Sequence, residues 1–261
     1  DYLTKPIIKE ELMARIRLHL ELSQINMAYS RFVPHEFFDL LGRESVLDVQ
    51  LGDNREQDLT ILFLDIRGFT TLSEQMNPEE TFKFLNSFLS NLEPFIRDQD
   101  GIIDKYIGDA IMALFADSAD RAVDACVAMF RGLAEYNAGR HNAGYDAVEI
   151  GIGLNSGETR LGIIGGPGRV QSTVIGDAVN LASRVEQLTK EYSTPLLISE
   201  STHGLLSENR YTTRLIDYVI PKGKTQRVAI YEVLDGVYTP EVEARKHRIL
   251  EDFARGVRLY H

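Results

Sequence analysis

The sequence predicts an α+β fold in which helices pack on a largely antiparallel sheet. From about residue 57, apolar patterns typical of strands and helices follow one another in the order βααββαβ, and further strands come later. Two apolar segments on either side of Gly108-Asp109 indicate a hairpin, because Gly-Asp suits a tight turn. The 261 residues, of which 44% are hydrophobic and 26% charged, are enough for one substantial core plus appendages.

The first half of this fold consists of a strand, a helix and the hairpin. An apolar run predicts a buried strand over 58–65 that ends at Asp65. A helix is predicted through Pro78 to about Arg97. Its apolar face consists of Phe82, Leu85, Phe88, Leu89 and Leu92. Residues 101–115 form the predicted hairpin, and a helix from about Ala119 to Asn137 follows it.

The second half contains two glycine-dotted strands, a helix and shorter elements. The two strands are predicted at 149–157 and 160–165, where glycine often marks a close approach of backbone or ligand. A loop at 166–169 leads to a helix that opens at Gly176-Asp177. The remaining elements are a strand at Leu196–Ser199, a helix at Glu200–Ser207, a strand near Arg214–Val219, a basic loop at Pro221–Thr225 and a strand at Ala229–Val233.

The two ends of the chain lie outside this alternating pattern. Residues 1–22 contain a Lys-Pro turn followed by a helix with Leu12, Ile16 and Leu20 at helical spacing. Residues 23–50 are interpreted as a linker that can transmit a signal between domains. Residues 236–261 are expected to form a charged amphipathic helical extension.

Charge and cysteine content exclude several classes of protein. The net charge of −11 argues against a general nucleic-acid binder, because phosphate backbones need a surplus of Lys and Arg. The one cysteine, Cys126, is expected to be a reduced packing residue, and no disulfide is possible within one chain. Neither a signal peptide nor an 18-residue apolar run is present, so these residues are expected in the cytoplasm without a membrane span. A membrane anchor elsewhere in a longer parent protein stays open.

Two aspartates indicate a metal site beside phosphates. Asp65 ends a strand and Asp109 lies at the hairpin turn, so on neighbouring strands their carboxylates would converge at one edge and could bind two Mg²⁺ ions. Asn180 and Arg184 lie four residues apart and therefore share one helical face. With Lys222 in the basic loop, this set suits a nucleoside triphosphate. Asp104 is expected to be solvated or ion-paired.

Three blocks carry a family resemblance that covers residues 51–235. They are FLDIRGFT at 63–70, KYIGDA at 105–110 and VIGDAVNLASR at 174–184. In this order they look like the three signature blocks of class III nucleotidyl cyclases. The resemblance implies a ferredoxin-like βααββαβ sandwich and a catalytic domain that forms a cyclic nucleotide.

The resemblance also assigns roles to residues, in two groups. For the metals, Asp65 and Asp109 match the two metal aspartates, and the backbone carbonyl of Ile66 is expected on metal. For the nucleotide, the resemblance implies that the backbone N–H groups of Gly68, Phe69 and Thr70 face the phosphates and that Lys222 holds the terminal phosphates. It also implies that Asn180 orients the ribose and that Arg184 stabilises charge on the α-phosphate.

The family builds its sites at a head-to-tail dimer interface, with metal aspartates from one chain and base, ribose and transition-state residues from the other. This chain carries both sets, which implies a homodimer with two composite sites and an inactive monomer.

Base selection is assigned by the resemblance to Lys105 and Thr173. Lysine only donates hydrogen bonds, so Lys105 suits the N1 acceptor of adenine and would face the N1–H of guanine without an acceptor. The Thr173 hydroxyl can accept from adenine N6, but it can also donate to a guanine oxygen. Guanylate cyclases of the family carry Glu and Cys at these positions, and many adenylate cyclases carry Asp in place of Thr173. ATP is therefore favoured, with Lys105 carrying more of the discrimination.

The leading hypothesis is an adenylate cyclase that converts ATP to 3′,5′-cyclic AMP and pyrophosphate with two Mg²⁺ or Mn²⁺ ions. The alternatives are a guanylate cyclase and a catalytically weak cyclase fold that serves as a dimerising regulatory module. Residues 1–22 also resemble the last strand, Lys-Pro turn and final helix of a response-regulator receiver domain. That resemblance implies a longer two-component signalling protein with a histidine kinase as its partner.

Overall fold

The computed structural model describes residues 8–30, 34–43, 46–166, 168–220 and 227–260. The chain divides into two compact units, residues 1–49 and residues 50–261. In the first unit, helix α1 spans Lys9–Ser30 and helix α2 spans His35–Leu41. Helix α2 ends at Gly42, whose left-handed backbone, with φ of 72°, suits glycine. The strand and Lys-Pro turn predicted before α1 lie outside the described residues.

Eight strands in the described part of the second unit form one sheet. Their bounds are β1 Asn54–Ile66, β2 Ile102–Ile107, β3 Ala110–Phe115, β4 Ile150–Gly166, β5 Arg169–Ile175, β6 Leu196–Ser199, β7 Thr213–Val219 and β8 Val228–Val233. The strand order is β2-β3-β1-β4-β6-β8-β7, and β5 pairs with β4. All pairs are antiparallel except β4 with β6, so the predicted α+β class with a largely antiparallel sheet is confirmed.

The helices of this unit follow the predicted order. Their bounds are α3 Phe69–Glu74, α4 Pro78–Arg97, α5 Ala119–Asn142, α6 Asp177–Glu191, α7 Glu200–His203, α8 Pro240–Arg248 and α9 Leu250–Tyr260. Helix α4 ends at Arg97 as predicted, and it begins at Pro78, because Asn77 and Glu80 form a capping box and Pro78 occupies the first turn.

Helices cover both faces of the sheet. Residues of α4 and α5 pack on one face with alternate residues of β1, including Leu62, Leu64 and Ile66. Helix α6 packs on the opposite face through Leu181 and Val185. Since adjacent strand residues point to opposite faces, one strand serves both layers.

The predicted elements differ from the structure in five places. The two glycine-dotted strands are one continuous strand, β4, because β1 pairs with it over Asn54–Ile66 without a break. Strand β5 was not predicted, since its residues include the exposed Val170 and Ile175 and show no clean alternation. Helix α5 runs five residues further than expected, to Asn142, and α7 is shorter.

The fifth difference is at the end of the chain. The single tail helix expected from about Gly236 is two helices, α8 and α9, which meet at Ile249. No described helix is long and apolar enough to cross a membrane.

Candidate active site

The structure brings the two predicted metal aspartates together. Strands β1 and β3 pair with Leu64 opposite Ile111, which sets the β2–β3 turn beside the end of β1. In that turn Gly108 has a φ of 66°, a left-handed conformation that glycine adopts at little cost. Asp109 then lies within hydrogen-bonding reach of the Asp65 carboxyl and of the Ile66 backbone N–H.

The electrostatics of this pair fit a hard divalent cation. Burial, and then the charge of Asp65, raise the pKa of Asp109 to about 6. Two carboxylates with convergent oxygens and a surplus of negative charge are the donor set that Mg²⁺ and Mn²⁺ prefer. The residues present therefore fit the metal that the sequence predicts.

The predicted phosphate-facing turn follows directly after Asp65 and Ile66. Gly68 has a φ of 65° and precedes α3, so Phe69 and Thr70 occupy the first helical turn. Backbone N–H groups in a first helical turn have no partner within the helix and can face an anion. Neither Gly68 nor Thr70 is buried, so this turn is accessible.

The two predicted base-reading residues also meet. The Lys105 ammonium on β2 donates to the Thr173 hydroxyl on β5, with 3.2 Å between Nζ and Oγ1. Thr173 is buried, whereas the Lys105 side chain keeps 26% of its exposure. Asp104 was expected to be either solvated or ion-paired. It is ion-paired with Lys105, and its side chain is fully buried rather than solvated.

Helix α6 carries Asn180 and Arg184, and its position is tightly fixed. Asn180 is exposed and Arg184 is half-buried. The Asn155 side chain donates to the carbonyl of Ala178 in the first turn, at 2.8 Å. A Cβ at Gly153 of β4 would collide with the backbone of α6, so glycine permits the close approach that was expected of these strands. Lys222, the remaining predicted residue, lies outside the described residues.

Sequence reasoning missed two charged residues beside the aspartates. The Arg67 guanidinium lies 3.6 Å from the Glu186 carboxylate of α6 and also contacts Thr189. Burial, and then the charge of Asp65, raise the pKa of Glu186 to about 7. Glu186 lies two positions beyond Arg184, on the helical face that turns towards the sheet, which separates it from the Asn180–Arg184 face.

Comparison with known proteins gives a consistent family. The family described as the adenylate and guanylate cyclase catalytic domain matches residues 51–234. Over 246 residues the chain is 40% identical to a protein of Dictyostelium discoideum named "Adenylate cyclase, terminal-differentiation specific", covering 92% of this chain and 11% of that protein. It is 42% identical over 213 residues to an adenylate cyclase of Anabaena cylindrica, covering 79% of this chain and 42% of that protein.

Solved structures agree with the sequence relatives. The guanylyl cyclase Cya2 matches with a TM-score of 0.63 and 36% identity, over 72% of this chain and 96% of that chain. The adenylyl cyclase CyaB from P. aeruginosa matches with a TM-score of 0.63 and 33% identity, over 70% and 96%. The chain spans less than half the length of the two sequence relatives, and within that span it belongs to the adenylate and guanylate cyclase catalytic domain family.

Proposed function

We propose that this chain is an adenylate cyclase that converts ATP to 3′,5′-cyclic AMP and pyrophosphate. The observation that carries the proposal is the Lys105–Thr173 contact, which supports a joint role of these two residues in selecting the base, and the donor-only ammonium suits adenine. Two relatives named adenylate cyclase, at 40% and 42% identity, support the same substrate.

The reaction needs divalent cations, for which we propose two Mg²⁺ or Mn²⁺ ions. Asp65, Asp109 and the carbonyl of Ile66 would hold them. When bound, the ions supply positive charge to the phosphates and favour ionisation of the 3′-hydroxyl. The number of ions is inferred from the family resemblance, and the adjacent carboxylates support it.

The other proposed roles belong to groups that bind and orient the nucleotide. Backbone N–H groups of Gly68, Phe69 and Thr70 face the phosphates, and Lys222 holds the terminal phosphates. Asn180 orients the ribose so that its 3′-oxygen lines up with the α-phosphate. Arg184 stabilises the charge that develops there as pyrophosphate leaves.

We also propose that the active unit is a head-to-tail homodimer of ferredoxin-like domains with composite sites. The antiparallel order β2-β3-β1-β4 supports the ferredoxin-like description. Large apolar side chains are exposed on the strands that border the site, which favours a partner surface there. They are Tyr106, Ile107, Ile164, Val170 and Ile175. A receiver domain before residue 23 and a histidine kinase partner complete the proposal for the longer protein.

A product assay tests the substrate assignment. The protein is incubated with ATP or GTP and with Mg²⁺ or Mn²⁺, and the cyclic products are resolved by chromatography. We expect predominant cyclic AMP. Predominant cyclic GMP would favour the guanylate cyclase alternative. That alternative is consistent with the Thr173 hydroxyl, which can donate to a guanine oxygen, and with the similarity to the guanylyl cyclase Cya2. No cyclic product from either nucleotide would favour a regulatory module.

Mixing two inactive variants tests the composite site. Asp65→Ala and Arg184→Ala chains are each expected to be inactive alone. Mixed dimers should recover activity, because one of their two sites keeps both intact halves. Arg184→Ala alone should lose turnover and keep nucleotide binding. Absence of recovery in dimers that demonstrably exchange subunits would contradict the head-to-tail arrangement.

A further inference from the structure

Asp104 occupies an irregular position in strand β2. Ile103 pairs with Ala113, and Lys105 pairs with Met112, the neighbour of Ala113 on β3. Asp104 is therefore an extra residue of β2 that has no partner of its own in this ladder. Such a bulge breaks the strict alternation of side chains and can re-aim one of them. The bulge explains how Asp104 and Lys105, although adjacent in a strand, have side chains in contact.

The Asp104 carboxylate is buried beside the Lys105 ammonium. Its side chain is 0% exposed, and Lys105 Nζ lies 3.1 Å from Oδ2. Neither carboxylate oxygen has a hydrogen bond of acceptable geometry from any residue in the described part of the chain. Burial raises the pKa of Asp104, and the neighbouring Lys105 charge opposes that rise. A buried carboxylate with so few donors depends on the ammonium beside it.

The Lys105 ammonium is in turn held from two sides. An ammonium has three N–H donors. One donates to Thr173 at 3.2 Å, and Asp104 attracts the same nitrogen at 3.1 Å. With the nitrogen held between these two groups, the direction left for a donor to meet a base is narrowly defined.

We infer that Asp104 is a positioning residue that fixes the Lys105 ammonium between itself and Thr173 and thereby sets the preference for adenine over guanine. The inference rests on the proposed function and deepens it. A fixed donor meets adenine N1 and opposes the N1–H of guanine. A released ammonium can swing towards the O6 acceptor of guanine, which reduces the penalty for GTP.

Loss of the Asp104 charge should affect selectivity and stability in different ways. In Asp104→Asn an isosteric neutral amide replaces the carboxylate, so the free-energy cost of burying a charge is removed. Lys105 loses its ionic partner, but its side chain is 26% exposed and can turn towards water. We therefore expect a thermal midpoint equal to or above that of the wild type. In Lys105→Met the carboxylate stays buried without its cation, so that midpoint should fall.

The deciding measurement is the ratio of kcat/KM for ATP to kcat/KM for GTP in the homodimer. We expect Asp104→Asn to lower this ratio about tenfold, which corresponds to about 1.4 kcal/mol. The matched control is Asp120→Asn, which makes the same change at another buried carboxylate, one that accepts from the Ser207 backbone N–H at 3.1 Å. Its ratio should equal that of the wild type. An unchanged ratio in a folded Asp104→Asn protein would overturn the inference.

A double-mutant cycle separates positioning from a general effect of the substitution. If Asp104 acts through Lys105, Asp104→Asn should change the ratio little once Lys105→Met is present. Equal effects with and without Lys105 would refute that route.

A binding measurement keeps this inference distinct from the proposed activity. The dissociation constants of ATP and GTP are measured in the Arg184→Ala background, where turnover is not needed. Asp104→Asn should shift their ratio towards GTP in that background as well. Failure of the wild type to form cyclic AMP would reject the proposed activity, whereas an unchanged binding ratio would reject the role of Asp104.

Discussion

Two partly or fully buried groups of charged residues in this domain are built on opposite principles. Beside the end of β1, Asp65 and Asp109 face one another, and the charge of Asp65 raises the pKa of Asp109. On β8, Glu232 is fully buried between two cations, Arg214 at 2.5 Å and Lys246 at 2.6 Å. The first cluster has a surplus of negative charge, whereas in the second two cations of the same chain compensate one carboxylate.

The contrast separates a binding site from a structural tie. The Tyr238 hydroxyl also donates to Glu232, and the Arg214 guanidinium lies 4.1 Å above the ring of Phe253 in α9. The Glu232 cluster therefore joins the sheet to the C-terminal helices α8 and α9. Among the described residues, no Lys or Arg forms an ion pair with either aspartate, and the nearby Arg67 guanidinium pairs with Glu186 instead. A cation from solution would supply positive charge to balance the two carboxylates.

The largest expected effect is the loss of activity in Asp109→Asn. We expect cyclic AMP formation to fall about 1,000-fold, because one of two carboxylates for the cation is lost. Without metal, the thermal midpoint should stay the same or rise, since the repulsion from Asp65 is removed. Initial rates at saturating ATP and calorimetry measure the two quantities. A lower midpoint would contradict the contrast between the clusters.

The converse effect is expected at Glu232. Glu232→Gln leaves Arg214 and Lys246 without their buried counter-charge and should lower the free energy of unfolding by about 3 kcal/mol. Urea denaturation measures it. The control is Glu56→Gln, because the Glu56–Arg160 pair has side chains 53% and 61% exposed. That control should stay within about 0.5 kcal/mol of the wild type.

Of the two clusters, the aspartate cluster is the one that should respond to metal and to pH. Asp109 has a folded-state pKa of about 6 against an ordinary 3.8, so between these values the folded state holds a proton that the unfolded state has lost. Its contribution to stability is therefore greatest at low pH and is lost as pH rises to about 6. At pH 7, Mg²⁺ at ten times its dissociation constant should raise the thermal midpoint by about 4 °C.

The variant Asp109→Asn provides the reference for both measurements. It should show neither the Mg²⁺-dependent rise nor the part of the pH dependence that comes from this carboxyl. An equal rise in wild type and variant would place the stabilising cation elsewhere on the protein.

The smallest effect is expected at Tyr238. Tyr238→Phe removes the hydrogen bond that the hydroxyl donates to Glu232 and the one that it accepts from Lys246, and it leaves both ion pairs of Glu232 in place. We expect a loss of about 1 kcal/mol in the free energy of unfolding, and unchanged cyclic AMP formation. Urea denaturation beside a product assay checks both. A loss as large as that of Glu232→Gln would show that the hydroxyl, not the cations, stabilises the buried carboxylate.

Local signals in the sequence were sufficient for much of the fold. The start of α4 follows from Asn77, Glu80 and Pro78, which act within one helical turn. The β2–β3 turn follows from Gly108 in the same way. The unbroken course of β4 was out of reach because it depends on pairing with β1, about a hundred residues earlier. Strand β5 pairs with β4 and carries few buried residues, so its pattern was weak.

The candidate site divides along the same line. Asp65, Asp109, Lys105 and Thr173 lie in or beside the recognisable blocks, and the structure brings them together in two pairs. Glu186 was not predicted, because its raised pKa depends on burial against β4 and on the nearby charge of Asp65, which no local pattern indicates. The burial of Asp104 depends on a bulge, and the register of a bulge is set by the partner strand.

The glycines of β4 also determine how closely helix α6 lies on the sheet. Gly151 leaves room for Arg67 and Thr189, and Gly153 lets the backbone of α6 lie directly on the strand. A side chain at either position would push these neighbours away, so the two glycines fix the distance between the sheet and the helix that carries Asn180 and Arg184. The shape of the groove between β4 and the Asn180–Arg184 face is therefore set by the absence of two side chains on the strand.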